Sequence, residues 1–390
     1  MRPLELLRQR PPPSPKMASP SRSPTTIQYR GSQNSGKKAS NPSLPSFADL
    51  PLSLIEIIMS YLILEDNIRA SAACKSWLEA AVTVRVVEKH PWLMCFPKRG
   101  NMFELRDPLQ WKLYTLNLPE LANSTVCYSR DGWLLMRKSR STIVFFFNPF
   151  SRELINLPKC ELAFGEIAFS CPPTSDKCML LALKFVPQHL VTIISTCHPG
   201  ATKWITEDFH TEYFTTFCME SNIVYRNDRF YCFNAGGSLY NFEPSSRTWS
   251  YICADDLICP YIYHSQQYEW KEKSVVLVEK KGELYVIFTC GNEKPMVYKL
   301  FSLEWKEMDS STVDGLTFFV SFYNSEVRTN LPWMRNNVYF SRFGYNRKRC
   351  VFYSFDESRF SPRKEWQNWV DLCPPQSVWI DPPKNVLDIL

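Results

Sequence analysis

The feature that most constrains the fold is a strand-and-turn pattern that recurs six times after Pro91. Each copy alternates short runs of β-branched and aromatic residues with turn residues, as short antiparallel strands do. The copies start about 30 to 55 residues apart and occupy residues 101–119, 132–158, 177–206, 228–252, 282–308 and 336–362. One such sheet cannot bury both of its faces, so repeated sheets stack around a common axis. The pattern predicts an all-β propeller of about six blades over residues 93–390.

Two shorter stretches refine this prediction. The segment SVWIDPP at residues 377–383 is expected to supply a strand that closes the ring by pairing with the first blade. The run IVFFF at residues 143–147 is apolar at every position, so both its faces should be covered, as in an inner propeller strand. A β-sandwich is the competing architecture, and it is disfavoured because about 280 residues of similar hairpins exceed one sandwich.

The first 45 residues differ in composition from everything that follows. They hold nine prolines, eight serines, eight arginines or lysines and a single acid, Glu5. Such a segment cannot bury enough apolar surface to offset its ordering entropy, so residues 1–45 are predicted to be a disordered basic tail. Its Arg-rich and acid-poor character also fits an organelle transit peptide, although PPPSP interrupts any amphipathic helix. The expected location of the protein is the nucleus, the cytoplasm or both.

Charge and cysteine content argue against several classes of function. The whole chain carries +6 and the tail alone carries +7, so residues 46–390 are close to neutral at −1. A nucleic-acid interface needs lysines and arginines clustered on a folded face, so none is expected. The 14 cysteines include no Cys-x-x-Cys pair and are interpreted as reduced, mostly buried thiols of an intracellular protein. No apolar run reaches the roughly 18–20 residues that span a membrane.

The sequence also offers no clear cluster of catalytic or metal-binding residues. Its five histidines are far apart, and its one Cys/His neighbour pair, Cys197-His198, precedes Pro199-Gly200 in a predicted turn. A metal site would need further Cys or His residues nearby, and a phosphate site would need a Gly-rich loop. We therefore expect no cofactor and no metal, and a propeller enzyme is disfavoured.

Residues 46–92 differ from both neighbouring regions because their apolar residues follow a helical period. Ser53 and Glu56 have the spacing of a capping box, in which each side chain bonds a free backbone N–H at a helix start. The apolar residues that share one side of the first helix are Leu54, Ile55, Ile58 and Leu62. Two further short helices are predicted before Pro91, which cannot continue a helix. The region is predicted to be a small all-α domain of three short helices.

The stretch from Phe47 to Trp77 resembles an F-box. That family has a Leu-Pro pair, a hydrophobic helix, an acidic residue at the next helix start and a closing Cys-Lys-x-Trp. Here these are Leu50-Pro51, the helix just described, Asp66 and Cys74-Lys75-Ser76-Trp77. The resemblance implies docking on the Skp-type adaptor of a cullin–RING ubiquitin ligase. The residues implied to face that adaptor are Leu50, Pro51, Leu54, Ile55, Ile58, Leu62, Cys74 and Trp77.

The remainder is similar to the kelch-like propeller of a large group of plant F-box proteins. The matching segments are Asp131–Leu135, Asn148-Pro149, Leu157-Pro158, Gly282–Val286 and Asn337–Phe340. The chain has 12 glycines and one adjacent pair, Gly236-Gly237, so regular kelch repeats, which carry a glycine pair in most blades, are not expected.

Together the two resemblances imply the substrate-recognition subunit of an SCF-type cullin–RING ubiquitin ligase. The expected partners are the Skp-type adaptor, through it the cullin, and an unidentified target protein held by the propeller loops. The alternative is a non-degradative scaffold or inhibitor whose propeller binds a partner without ubiquitin transfer. Target turnover that depends on Leu50 and Pro51 would separate the two functions.

Overall fold

The computed structural model covers most of the chain beyond the basic tail. It describes residues 47, 50–60, 62, 64–84, 90–139, 141–210, 222–233, 237–252, 257, 275–290, 293–329, 331, 333–343, 349–362 and 376–382. Met1–Asp49 forms a unit by itself, of which Phe47 alone is described, so the predicted tail at 1–45 lies outside the described residues. Everything below concerns the second unit, Leu50–Leu390.

Three short helices begin this unit, as the sequence predicted. They are α1 (Leu52–Ser60), α2 (Leu64–Ser71) and α3 (Lys75–Val84). Their apolar residues form a hydrophobic cluster of their own, centred on Ile55 and Met59 of α1 and on Ala80 and Ala81 of α3. Within the described residues, no helix combines the length and the apolar character that crossing a bilayer requires.

The described strands form six sheets arranged as a six-bladed propeller, which confirms the predicted architecture. The strands of the first three blades are β1 (Trp92–Cys95), β2 (Met102–Arg106), β3 (Leu113–Asn117), β4 (Ser124–Arg130), β5 (Trp133–Lys138), β6 (Val144–Phe147), β7 (Leu154–Asn156), β8 (Glu166–Phe169), β9 (Leu180–Val186), β10 (Val191–Cys197) and β11 (Ile205–His210). Blade two contains β4 to β7 and blade three contains β8 to β11, each in sequence order.

The other three blades hold the remaining described strands. These are β12 (Val224–Arg226), β13 (Arg229–Phe233), β14 (Leu239–Glu243), β15 (Thr248–Ile252), β16 (Val275–Lys280), β17 (Glu283–Phe288), β18 (Met296–Phe301), β19 (Glu304–Met308), β20 (Leu316–Val320), β21 (Ser325–Thr329), β22 (Asn337–Phe343), β23 (Cys350–Ser354), β24 (Arg359–Ser361) and β25 (Ser377–Ile380). Blades four and five follow sequence order, whereas blade six has five strands in the order β21-β20-β22-β23-β24, with β20 and β22 parallel.

The last described strand closes the ring. Strand β25 pairs antiparallel with β1, from Trp92 opposite Ile380 to Cys95 opposite Ser377, and completes a first blade in the order β25-β1-β2-β3. The predicted closing strand at residues 377–383 is therefore confirmed. Every residue of β25 is buried, whereas the fourth strand of each regular blade alternates exposed and half-buried residues along most of its length.

Trp379, in the middle of β25, is held by the blades on both sides. On the side of blade six, its backbone N–H donates to Asn324 Oδ1 at 3.0 Å and its C=O accepts from Asn324 Nδ2 at 2.7 Å. Ser129 Oγ of blade two donates to the same C=O at 3.3 Å. The indole Nε1 donates to the C=O of Val320 at 3.0 Å. The side chain of Trp379 is fully buried, so these bonds form without competition from water.

A second asparagine joins two further blades in the same way. Asn222, just before β12, donates its amide to the C=O of Leu277 at 2.8 Å and accepts the Leu277 N–H at 3.1 Å. One asparagine side chain thus pairs with both polar groups of a residue in the next inner strand. This satisfies backbone groups that would otherwise be buried unpaired between blades four and five.

The run that was predicted to be an inner strand occupies a different position. Val144–Phe147 forms β6, the third strand of blade two, and all four residues are buried. Both faces are covered as expected, but by the sheets of neighbouring blades and not by the centre of the ring. Ile143 lies before the strand and is 39% exposed.

His90, two residues before β1, is held against blade one. Its Nε2 lies 3.0 Å from Oδ1 of Asp107, which also accepts the backbone N–H groups of Leu109 and Gln110. Burial alone would raise the pKa of Asp107, but the bonds from His90 and from the two N–H groups outweigh it and lower that pKa. The carboxylate therefore organises the β2–β3 turn and the start of blade one together.

Charged groups at the end of the inner strands neutralise one another. Arg328 lies 2.5 Å from Glu326 and 2.6 Å from Asp381, and Arg130 lies 3.5 Å from Asp131. Glu326 is 14% exposed, and burial raises its pKa to about 7 although Arg328 opposes this shift. A carboxyl group with this pKa is a source of pH-dependent stability.

Replacement of Trp379 by alanine tests the closure of the ring. The cavity left at the junction of blades one and six should lower the free energy of unfolding by about 3–5 kcal/mol. The matched control is Trp333→Ala, because Trp333 is 73% exposed and its removal should cost less than about 0.5 kcal/mol. Urea unfolding followed by circular dichroism measures both, and equal midpoints would show that β25 is not needed to hold the ring.

Replacement of Glu326 by glutamine tests the charged cluster. The folded-state pKa of about 7 lies above the ordinary 4.5, so the folded chain binds this proton more tightly and loses stability as pH rises through that window. The variant lacks this loss. Its melting temperature should therefore fall less than that of the wild type between about pH 5 and about pH 8, by on the order of 5 °C. Glu304→Gln is the control, because Glu304 is 60% exposed and lies outside the cluster. The same pH dependence in Glu326→Gln and wild type would contradict the assignment.

Candidate protein-docking site on the helical segment

Helix α1 begins directly after the Leu50-Pro51 pair. The C=O of Pro51 accepts the N–H of Leu54 at 2.9 Å and that of Ile55 at 3.2 Å, so Pro51 is the residue that caps the helix. Ser53 therefore lies inside the first turn, one residue after the helix has begun, and the predicted capping box is wrong by two residues. Proline fits here because a cap needs a C=O and not an N–H.

One side of α1 is buried in the core of the helical segment. Ile55 is 0% exposed and Met59 is 1% exposed, and both pack against Ala80 and Ala81 of α3. The residues that border this core and are partly buried are Leu50, Leu62, Ala70, Trp77 and Val84. Asn67 of α2 adds a buried bond from its Nδ2 to the C=O of Met59 at 3.4 Å. The two small alanines allow α3 to approach α1 closely.

The other side of α1 is an apolar surface that the helical segment itself leaves open. Leu54 is 47% exposed, Ile57 is 53% exposed and Ile58 is 37% exposed. Their spacing of three and four residues places them side by side along the helix. We call these three residues the exposed stripe. On a helix of nine residues whose opposite side is fully buried, such a stripe is typical of a surface that meets a partner.

Helix α3 also exposes apolar side chains. Leu78 is 46% exposed and Val82 is 54% exposed, one helical turn apart. The helix starts after Cys74, whose C=O accepts the N–H of Leu78 at 3.0 Å. Lys75 and Glu79 form an exposed ion pair at 3.8 Å, which contributes little to stability.

The structure divides the eight residues implied by the F-box resemblance into three groups. Pro51, Leu54 and Ile58 are exposed, and Leu50, Leu62, Cys74 and Trp77 are half-buried. Ile55 is fully buried, so it supports the helix from within and does not reach the surface. The sequence reasoning did not include Ile57, Leu78 and Val82. Ile57 could have been predicted, because it lies three residues after Leu54 and therefore on the same side of the helix.

The remaining sequence candidate for chemistry, Cys197-His198, is a buried thiol next to an exposed histidine. Cys197 is 3% exposed, its Sγ lies 3.5 Å from the C=O of His198, and burial raises the pKa of its thiol to about 11. His198 Nδ1 bonds the C=O of Pro199 at 3.0 Å. Among the described residues, no group of three or more His, Cys, Asp or Glu side chains is arranged to hold a metal ion.

Comparison with known proteins gives a consistent result over most of the chain. Residues 102–359 match the family described as KIB1-4 beta-propeller. The chain is 71% identical to an F-box protein of Arabidopsis thaliana over 94% of its own length and 93% of that protein. It is 38% identical to an F-box/kelch-repeat protein of the same plant, over 88% of the chain and 96% of the relative. A further Arabidopsis F-box protein is 35% identical over 88% and 91% of the two lengths.

Two isoleucines three residues apart provide a matched test of the two sides of α1. Ile55→Ala should open a cavity in the helical core, whereas Ile58→Ala shortens a side chain of the exposed stripe. Amide hydrogen exchange over Leu52–Ser60, measured by mass spectrometry, should be at least about tenfold faster in the Ile55 variant. Exchange in the Ile58 variant should stay within about twofold of the wild type. Equal acceleration in both variants would mean that the exposed stripe belongs to the core.

Proposed function

We propose that this chain, because it belongs to the plant F-box proteins with a KIB1-4 beta-propeller, is the substrate-recognition subunit of an SCF-type cullin–RING ubiquitin ligase. The helical segment docks on the Skp-type adaptor, and through it on the cullin. The propeller holds a target protein for ubiquitination. We propose the nucleus, the cytoplasm or both as the location of the chain.

The observation that carries the proposal is the exposed stripe. Leu54, Ile57 and Ile58 are 37–53% exposed on a helix that begins at the Leu-Pro pair of the F-box pattern. Burying the exposed part of each side chain contributes about 1 kcal/mol, roughly half of the value for full burial. Three such side chains do not by themselves offset the cost of association. The proposed interface therefore also includes Leu78 and Val82.

The chain's proposed contribution to ubiquitin transfer is proximity. A target bound to the propeller and an activated ubiquitin bound elsewhere in the same complex react at a high effective concentration. This requires binding and a fixed geometry from the chain, and no covalent chemistry. The contact between His90 and Asp107 suits that role, because it holds the residue that comes two positions before β1 against the β2–β3 turn.

A double charge substitution tests adaptor docking. Leu54→Asp with Ile58→Asp would place two carboxylates in an apolar interface, so the affinity of the full chain for a Skp-type adaptor should fall at least about a hundredfold. The matched control, Leu113→Asp with Ile205→Asp, changes two side chains of the outer strands that are 50% and 51% exposed. Co-purification followed by titration calorimetry measures all three proteins. A wild-type chain that is folded but does not bind the adaptor would contradict the proposal.

The same variants separate a ligase subunit from a scaffold. Proteins that bind the wild type and the stripe variant equally, but turn over only in the presence of the wild type, would be its targets. If every bound protein turned over at the same rate with both forms, the chain would instead be the non-degradative scaffold or inhibitor.

A further inference from the structure

A depression opens on the face of the ring where the inner strands β4 and β25 begin. Three adjoining cavities of about 250, 610 and 700 Å³ form it. Thr125 at the start of β4 lines all three cavities, and Arg137, Ser139, Tyr323 and Gln376 each line two. The three cavities therefore adjoin one another, and their linings come from parts of blades one, two, three and six. We call this surface, centred on Thr125 and Arg137, the basic depression.

The charges that line the basic depression are almost all positive. Lys98 and Arg99 come from the β1–β2 turn, Arg137 from β5 and Lys159 from the segment after β7. The carboxylate among the described lining residues is Glu166. Among the described residues, none of the four cations has a carboxylate oxygen within 4.0 Å. Their charge is therefore available to an external anion.

This excess is local, because the folded part of the chain is close to neutral. Beyond residue 45 the net charge is −1, so the positive charge of the basic depression does not reflect a basic surface overall. At the other end of the inner strands, Arg130 and Arg328 each have a carboxylate partner within 3.5 Å. Arg226, which ends β12, has none among the described residues, and its Nε is buried. The four cations of the basic depression differ from Arg226 because they line an open cavity.

Other side chains of the basic depression suit an extended peptide. The Arg137 guanidinium lies 5.4 Å from the centre of the Phe164 ring, and a guanidinium supported in this way can bind a carboxylate with two parallel bonds. Phe322 is 40% exposed beside Tyr323, with ring centres 5.0 Å apart. The cations and the aromatic rings together match acidic and apolar side chains on one segment.

We propose that the basic depression binds a short acidic segment of the target protein. Carboxylates of that segment pair with Lys98, Arg99, Arg137 and Lys159, and an apolar side chain of it lies against Phe322. A nucleic acid is a poorer fit, because a long phosphate backbone needs a basic face that continues beyond one depression. The proposal deepens the proposed function, since it names the chemistry of the target. It concerns a surface other than the exposed stripe.

Selection of peptides on the purified full chain tests this proposal. A phage-displayed library of random peptides should yield binders enriched in Asp and Glu, with affinity that weakens as salt is raised. One selected peptide, labelled with fluorescein, then serves as the probe in anisotropy titrations. The triple variant Lys98→Glu, Arg99→Glu, Lys159→Glu changes exposed residues. Its affinity for that peptide should be at least about tenfold lower than that of the wild type. Arg137→Gln is an independent second variant. It should lower the affinity for the peptide by removing a positive charge without introducing a negative one.

The control carries the same change of charge elsewhere. Lys177→Glu, Lys281→Glu, Lys306→Glu alters three exposed lysines that do not line the basic depression, and its affinity should stay within about twofold of the wild type. Failure to select any peptide, no enrichment of Asp and Glu, or equal weakening in the control would overturn the proposal. Displacement of the peptide by an equally tight single-stranded oligonucleotide would also overturn it. Peptide binding that survives Leu54→Asp with Ile58→Asp separates this result from the fate of the adaptor proposal.

Discussion

Closure of the ring at β25 is the constraint on which the rest of the structure depends. Strand β1 lies just after the helices and β25 near the other end of the chain, so the first blade is complete only when both ends of the propeller have met. Backbone pairing alone would not distinguish this junction from the junctions between the other blades. Trp379 makes it different, because it fills the junction with a buried indole while Asn324 and Ser129 bond its backbone from either side. The ring is therefore expected to form as one cooperative unit, since blade one is incomplete and blades one and six each lack a neighbour on one side until closure.

A closed ring leaves the helical segment to stabilise itself. The core of that segment contains Ile55, Met59, Ala80 and Ala81, which is little apolar surface for three helices. Helical units of this size are marginal in isolation, and a partner that binds only the folded form adds stability through linkage. The exposed stripe has the same cause. Because α3 faces α1 with only two alanines, it covers one side of α1 and leaves the other side open. Marginal stability and an open apolar side are thus two results of the same small core.

The sequence predicted the parts of the fold in which a local pattern reports the environment. Short runs of β-branched and aromatic residues recur between turn residues in every blade, and the fourth strands alternate. The six repeats, the blade number and the closing strand could therefore be read from the sequence. The predicted repeats of blades two to five began at the second strand and left out the inner strands β4, β8, β12 and β16. Of these, β12 has three residues and β8 has four, too few for a period. The extra hairpin of blade six, β20 with β21, also lay outside the repeats. The roles of Asn222 and Asn324 could not be predicted, because their partners lie 55 residues away and no local pattern marks them.

The same limit applies to the two surfaces proposed for binding. Helical spacing gathered Leu54, Ile55 and Ile58 on one side of α1, but only packing against α3 shows that Ile55 turns inward and Ile57 outward. In the ring, Arg130 and Arg137 are both arginines of blade two, and nothing local distinguishes them. Arg130 ends β4 beside Asp131, where an unpaired charge would be costly, and it is paired. Arg137 lies in an open depression where water keeps a single charge stable. Because Arg137 is solvated and has no carboxylate partner among the described residues, it is a cation that an external partner can reach.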